Sequence, residues 1–113
     1  MFDIVPATPE LMERFYRGRQ KRSARALVAL RDGEPVAVVG VYLDRTRWVL
    51  FSDRTVDPVA HKRDVVRLMR AAKELLNSSL PVYACAELTD AARRTLVHMG
   101  FVQVKGDVYQ WLP

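Results

Sequence analysis

The stretch Val56 to Leu76, VDPVAHKRDVVRLMRAAKELL, decides how this chain folds. It reads as the end of a strand, a turn at Asp57-Pro58 and one amphipathic helix running from about His61 to Asn77. Apolar residues at Val65, Leu68, Met69, Ala72, Leu75 and Leu76 share one face at the spacing of a buried helix. The other side carries Lys62, Arg63, Arg67, Arg70 and Lys73. A strand that passes into a helix is a common place to hold a phosphate, because free N–H groups and the helix dipole point outward there.

Upstream of this stretch the pattern alternates. Phe2 to Val5 reads as a short first strand. Thr8-Pro9-Glu10 starts a helix, with Thr8 as N-cap and Pro9 at the first helical position. Its inner stripe is Leu11, Met12 and Phe15, and it is expected to stop near Gly18. Ala26 to Leu30 and Val36 to Leu43 form a hairpin around Arg31-Asp32-Gly33-Glu34, with glycine where a positive φ is needed. Trp48 to Val56 is the next strand. Both faces of these strands carry apolar residues, so helices are expected to cover the sheet on both sides.

Downstream, Val82 to Ala86 is a strand, and the strand–helix–strand unit it completes predicts a parallel, right-handed crossover. Thr89-Asp90 caps a further helix with inner residues Ala92, Leu96 and Met99, ended by Gly100. Phe101 to Val104 and Asp107 to Leu112 are the last strands, turning at Lys105-Gly106. The order is β-α-β-β-β-α-β-α-β-β. The fold class is α/β (α+β) with a mixed central sheet, in one domain spanning residues 1–113.

The bulk properties bound the function. A chain of 113 residues, half of them hydrophobic, builds one core. No apolar run reaches the roughly 18 residues of a membrane span, so no membrane partner is expected. The first residues, Met1-Phe2-Asp3-Ile4, do not resemble a signal peptide. The single cysteine, Cys85, sits in an apolar strand pattern and reads as a buried structural thiol in a reducing compartment. The expected location is cytoplasmic, in the host cell if the gene is viral. The net charge of +5 is compatible with an anionic partner. Arg14, Arg17, Arg19, Lys21, Arg22 and Arg25 form a run without an acid, either a solvated helix end or a nucleic-acid or anion patch. His61 and His98 are too isolated for a metal site. Trp48, Tyr109 and Trp111 lie in strands and read as sheet-packing residues.

The segment Ala91 to Val104, AARRTLVHMGFVQV, resembles the last helix and following strand of the GNAT superfamily of N-acetyltransferases, where "A-x-x-L-Y-E-K-L-G-F" is typical. Val56-Asp57-Pro58 resembles the "V-x-P" that closes the superfamily's fourth strand, and Val28 to Leu43 resembles the hairpin before it. The resemblance covers nearly the whole chain and implies a GNAT-like sheet with an acetyl-CoA site at the opening stretch. The chain lacks the superfamily's usual second helix.

Two departures follow from that resemblance. Members read about V-x-P-x-x-[RQ]-x-x-G-x-[GA] at the phosphate turn. Here His61 stands at the Arg/Gln position, Asp64 at the first Gly and Val66 at the Gly/Ala position, with Lys62, Arg63 and Val65 between or beside them. Asp64 is expected to place negative charge, and Val66 bulk, where a diphosphate would lie. Many members protonate the leaving thiolate with a Tyr four residues before the Gly of "L-G-F", and this chain has Leu96 there. Asp53 and Glu87, near the ends of the fourth and fifth strands, are the candidate general bases; a turn or solvated role is the competing reading for each.

Three functions are therefore weighed. The favoured expectation is a GNAT fold with a degenerate acetyl-CoA site, no cofactor, and a protein partner or self-association through Trp111-Leu112. Pro81-Val82-Tyr83-Ala84 and Val108-Tyr109-Gln110-Trp111 are similar to strings in GNAT-like proteins encoded among virion and morphogenesis genes of tailed bacteriophages. The alternatives are an active acetyl-CoA-dependent N-acetyltransferase whose Lys62 and Arg63 hold the phosphates, and a nucleic-acid-binding module using the Arg14–Arg25 cluster and the basic face of the central helix.

Overall fold

The computed structural model describes residues 2–18, 24–57, 60–76, 81–85 and 90–112. Its elements are β1 (Asp3–Pro6), α1 (Pro9–Tyr16), β2 (Ala24–Arg31), β3 (Glu34–Asp44), β4 (Arg47–Arg54), α2 (Lys62–Ala72), β5 (Val82–Cys85), α3 (Asp90–His98), β6 (Val102–Lys105) and β7 (Val108–Trp111). Seven strands make one mixed sheet in the order β1-β2-β3-β4-β5-β7-β6. Every neighbouring pair is antiparallel except β4 and β5, which the α2 crossover joins in parallel. The expected element order and mixed sheet are both present.

Local chemistry sets the ends of these elements. Thr8 caps α1, its Oγ1 accepting from the Leu11 N–H at 3.2 Å. The helix ends at Tyr16, near Gly18 as expected, but Arg17 rather than the glycine takes the left-handed conformation (φ 55°). The β2–β3 turn needs positive φ at Asp32 (52°) as well as at Gly33 (81°), as a two-residue hairpin turn does. Gly100 (φ 100°) closes α3: its N–H donates to Val97 O at 3.0 Å and the Phe101 N–H to Leu96 O at 2.9 Å, so two end carbonyls are satisfied. The central helix is shorter than its apolar pattern, α-helical to Ala72 and then tightening into a 3-10 turn over Lys73–Leu76. The expected inner stripe holds nonetheless, with Leu68, Ala72 and Leu76 fully buried.

Strand parity separates two faces. On one, Ala29, Val39, Val41, Val82, Ala84 and Tyr109 join Leu68, Ala72 and Leu76 of the α2 segment, Leu96 of α3 and Met99 just after it in one core. Trp48 and Trp111 pack on its rim, the role expected of them. On the other face Val28 and Val38 are buried in register with each other, on the side where α1 ties to β4. Helices therefore cover both faces, as expected.

Candidate functional site

The β4–β5 ladder has two rungs, Trp48–Val82 and Val49–Tyr83. Among the described residues, β4 beyond Val49 runs on to Arg54 paired only with β3, and β5 beyond Tyr83 runs to Cys85 paired only with β7. The two parallel strands thus leave a notch at their carboxyl ends, where open α/β sheets commonly receive ligands. Residues Leu50 to Arg54 offer one unpaired edge about 16 Å long at ordinary strand rise.

The chain leaves β4 at this end of the sheet and enters α2. His61 is the N-cap position but its side chain makes no capping bond. The His61 N–H donates to Asp57 O at 3.2 Å, and the first helical bond runs from the Val65 N–H to His61 O at 3.0 Å. The N–H groups of Lys62, Arg63 and Asp64 fall in the first turn, where a helix supplies no internal acceptor. The Lys62 and Arg63 side chains are exposed, and among the described residues neither forms an ion pair.

Asp64, expected to put negative charge at the phosphate turn, is engaged by the start of the chain and by Arg67. Its Oδ1 accepts from the Phe2 N–H at 3.1 Å and from Arg67 Nη1 at 3.1 Å. Arg67 Nη1 also donates to Phe2 O at 3.1 Å. The Phe2 N–H, with the guanidinium beside it, holds the Asp64 carboxyl below its ordinary value. The His61 ring lies against Phe2, centroids 5.1 Å apart, and Phe2 is buried. Asp64, Arg67 and His61 therefore latch the start of the chain to α2. Val65 is half-buried on the inner side and Val66 is exposed.

Asp53 projects from the α1 face of β4, where Tyr16 Oη donates to its Oδ2 at 2.6 Å. Burial, then this bond and the Asp53 charge, push the Tyr16 phenol far above its ordinary value, so it remains a donor. Leu96, at the position of the superfamily's general acid, is 8% exposed and part of the core. Tyr83, which with Tyr109 does not match the superfamily's position for the acid in the sequence, occupies the last β4–β5 rung. Its hydroxyl accepts from Gln110 Nε2 at 3.1 Å, and the Arg47 guanidinium lies 5.5 Å from its ring centroid. Its place follows from strand pairing, which local pattern does not reveal.

The run Arg14 to Arg25 is not one surface among the described residues. Arg14 is spent on the β2–β3 turn, its Nη2 donating to Glu34 Oε1 at 2.7 Å and to Gly33 O at 3.1 Å. Arg17 ends α1, whereas Arg25 pairs with Val41 and shares the opposite face with it. Arg19, Lys21, Arg22, Glu87, Pro58, residues 77–79, Ala86, Thr89, and the Cys85 and Ala92 side chains lie outside what the structure describes. Among the described residues no group of His, Cys, Asp and Glu could hold a metal, and no helix is long and apolar enough to cross a membrane. Of the pair expected to meet a partner, Trp111 packs on the core and Leu112 is exposed.

No protein-family profile matches the chain, and no curated protein matches it. Solved structures do. An acyl-CoA N-acyltransferase from Pseudomonas aeruginosa superposes with a TM-score of 0.57 at 16% identity, covering 97% of this chain and 96% of that one. A protein assigned as an N-acetyl transferase, YhhK from E. coli, solved in solution bound to coenzyme A, aligns over 100% of this chain and 99% of its own at 13% identity and a TM-score of 0.49. The sheet order, the single parallel junction and the first of these superpositions together give the chain the GNAT, or acyl-CoA N-acyltransferase, fold.

Proposed function

We propose that this protein binds coenzyme A or an acyl-CoA at the β4–β5 notch and does not itself carry the superfamily's proton-transfer machinery. Two features carry the reading together: the edge of β4 beyond Val49 that no described strand pairs, and the uncapped amino end of α2, the helix that the chain enters on leaving β4. The residues present fit the ligand. The Lys62, Arg63 and Asp64 N–H groups would take the pyrophosphate, with the Lys62 and Arg63 side chains supplying countercharge. The Asp64 charge that would oppose this is turned to Phe2 and Arg67. This revises the expectation of no cofactor. An acyl-CoA, when bound, brings an activated thioester.

Among the described residues, which do not include Glu87, the missing chemistry is equally local. A general acid must reach the departing sulfur. Leu96 has no proton to give and is locked in the core. Asp53 already accepts a short bond from Tyr16 and projects from the α1 face. Ligand binding without turnover is what such a site supports, and fold and function part company often. A role in a phage particle rests on the strings Pro81–Ala84 and Val108–Trp111 alone and forms no part of this proposal.

Calorimetric titration with CoA, paired with a free-thiol assay on acetyl-CoA and a panel of amines, tests both halves. Binding without thiol release is the expected result. Absence of binding overturns the ligand; amine-dependent thiol release overturns the lack of turnover. One observation favours a working enzyme as a second reading. Tyr83, on the last rung, accepts from Gln110, which leaves its own proton free to donate. Loss of thiol release in Tyr83→Phe would establish that reading.

A further inference from the structure

The outward side of α2 carries five cations, Lys62, Arg63, Arg67, Arg70 and Lys73, all exposed. Against two acids, Asp64 and Glu74, the segment Lys62–Glu74 holds +3 of the chain's net +5. Elsewhere Arg14 pairs with Glu34 and Arg93 with Asp107, and cations such as Arg17, Arg31, Arg54 and Lys105 have no ion pair among the described residues, so what sets α2 apart is the concentration of cations on one helix face. On α2 only Arg67 is paired; among the described residues Lys62, Arg63, Arg70 and Lys73 have no ion pair. Arg63 and Arg67, Arg67 and Arg70, and Arg70 and Lys73 are like charges at three- or four-residue spacing. Such pairs repel on a helix, and solvated helices ordinarily alternate sign instead.

From this stripe we infer that the outward face of α2 binds the phosphate backbone of double-stranded nucleic acid, independently of its sequence. The cations run the length of the helix, about 17 Å at 1.5 Å per residue. Their spacing of about 5–6 Å between neighbouring turns gives each its own phosphate to meet. A protein partner wants an apolar or aromatic centre, and the only apolar side chain exposed in the stripe is Val66. A membrane wants an apolar face to insert, but Leu68, Ala72 and Leu76 are already consumed by the core. A single strand wants aromatic platforms, and residues 62–74 contain none. This inference does not rest on the coenzyme A reading, because Arg70 and Lys73 stand about 12 Å or more along the axis from the helix amino end.

The test is fluorescence anisotropy of a mixed-sequence DNA duplex, and of the same sequence as RNA, at two salt concentrations. Four contacts give a salt slope of about −3.6, or about 150-fold weaker binding on going from 50 to 200 mM salt. Arg70→Gln with Lys73→Gln flattens the slope by about two. Arg31→Gln with Lys105→Gln removes the same charge elsewhere and leaves the slope unchanged. All four substitutions change exposed charged side chains, and circular dichroism melts verify that both double variants fold. No binding at low salt, a flat salt dependence, equal weakening by both double variants, or retention on phosphatidylserine vesicles in preference to duplex would each overturn the inference.

Discussion

Gly40 is where the sheet tolerates no side chain, and Gly40→Ala exposes how tightly the notch is supported. Gly40 is buried in β3, opposite Ala26 of β2 and Phe51 of β4. A Cβ there would stand 2.6 Å from Ala26 Cβ, 2.6 Å from Arg25 O and 2.9 Å from Phe51 Cε1. The Phe51 ring can tilt away. The Arg25 carbonyl and the Ala26 Cβ cannot move without opening the β2–β3 ladder, which runs from Ala24–Tyr42 to Arg31–Glu34. Overpacking of this kind costs about 1–3 kcal/mol. For a domain of this length that is a fall in Tm of roughly 4–12 °C. The sign is diagnostic, because in an unhindered strand interior alanine is the better residue by about 0.5–1 kcal/mol. Phe51 lies beyond the last β4–β5 rung, so its displacement also disturbs the free edge of β4. Thermal melts followed by far- and near-ultraviolet circular dichroism report both effects, the second through the Tyr42–Phe51 rings, 5.8 Å apart. A variant that melts at or above the wild-type temperature would refute the packing argument.

The remaining predictions concern the two tethers. Asp64 is held below its ordinary 3.8 in the folded state, so its stabilisation is complete above that value and is lost as the pH falls through the folded pKa. Melts at about pH 5 and about pH 3 should fall more steeply in wild type than in Asp64→Asn; parallel curves would remove Asp64 from the latch. Tyr16 has the opposite sign: its phenol is raised in the folded state, so its contribution is present below the ordinary 10.0 and is lost only as the pH rises through the folded value. Tyr16→Phe should cost about 1 kcal/mol or less at neutral pH, since the bond to Asp53 is exposed, and should leave CoA affinity unchanged; a clear loss of affinity would place Asp53 at the site.

The two stretches that carried the fold were legible for a physical reason. The α2 stripe repeats at helical period, and Gly100-Phe101 ends α3 with the bonds its residue types imply, so both are local properties of the chain. What was not legible depends on partners distant in sequence. Asp64 reads as a misplaced charge until Phe2, 62 residues away, is seen donating to it. Arg14 and Arg25 read as one cluster because they are near in sequence, but one sits on α1 and the other on the face of β2 that carries Leu27 and Ala29. The parity of β2 contained that information. The divergence of β4 from β5 left no trace, since each strand is continuous and only their pairing stops. The end of α2 at Ala72 was hidden because the apolar spacing of Leu75 and Leu76 suits the 3-10 turn as well as a continuing helix.

The proposed phosphate site is the amino end of α2. The measurement that tests it most directly is the shift in Tm on adding CoA to wild type and to Lys62→Glu with Arg63→Glu. At a hundred times its dissociation constant a ligand adds about 2.7 kcal/mol of stability. A clear rise is expected for wild type that shrinks sharply in the double variant, while Arg70→Gln with Lys73→Gln keeps the full rise. A wild-type Tm unmoved by millimolar CoA, or an equal rise in wild type and the Lys62/Arg63 variant, would contradict it.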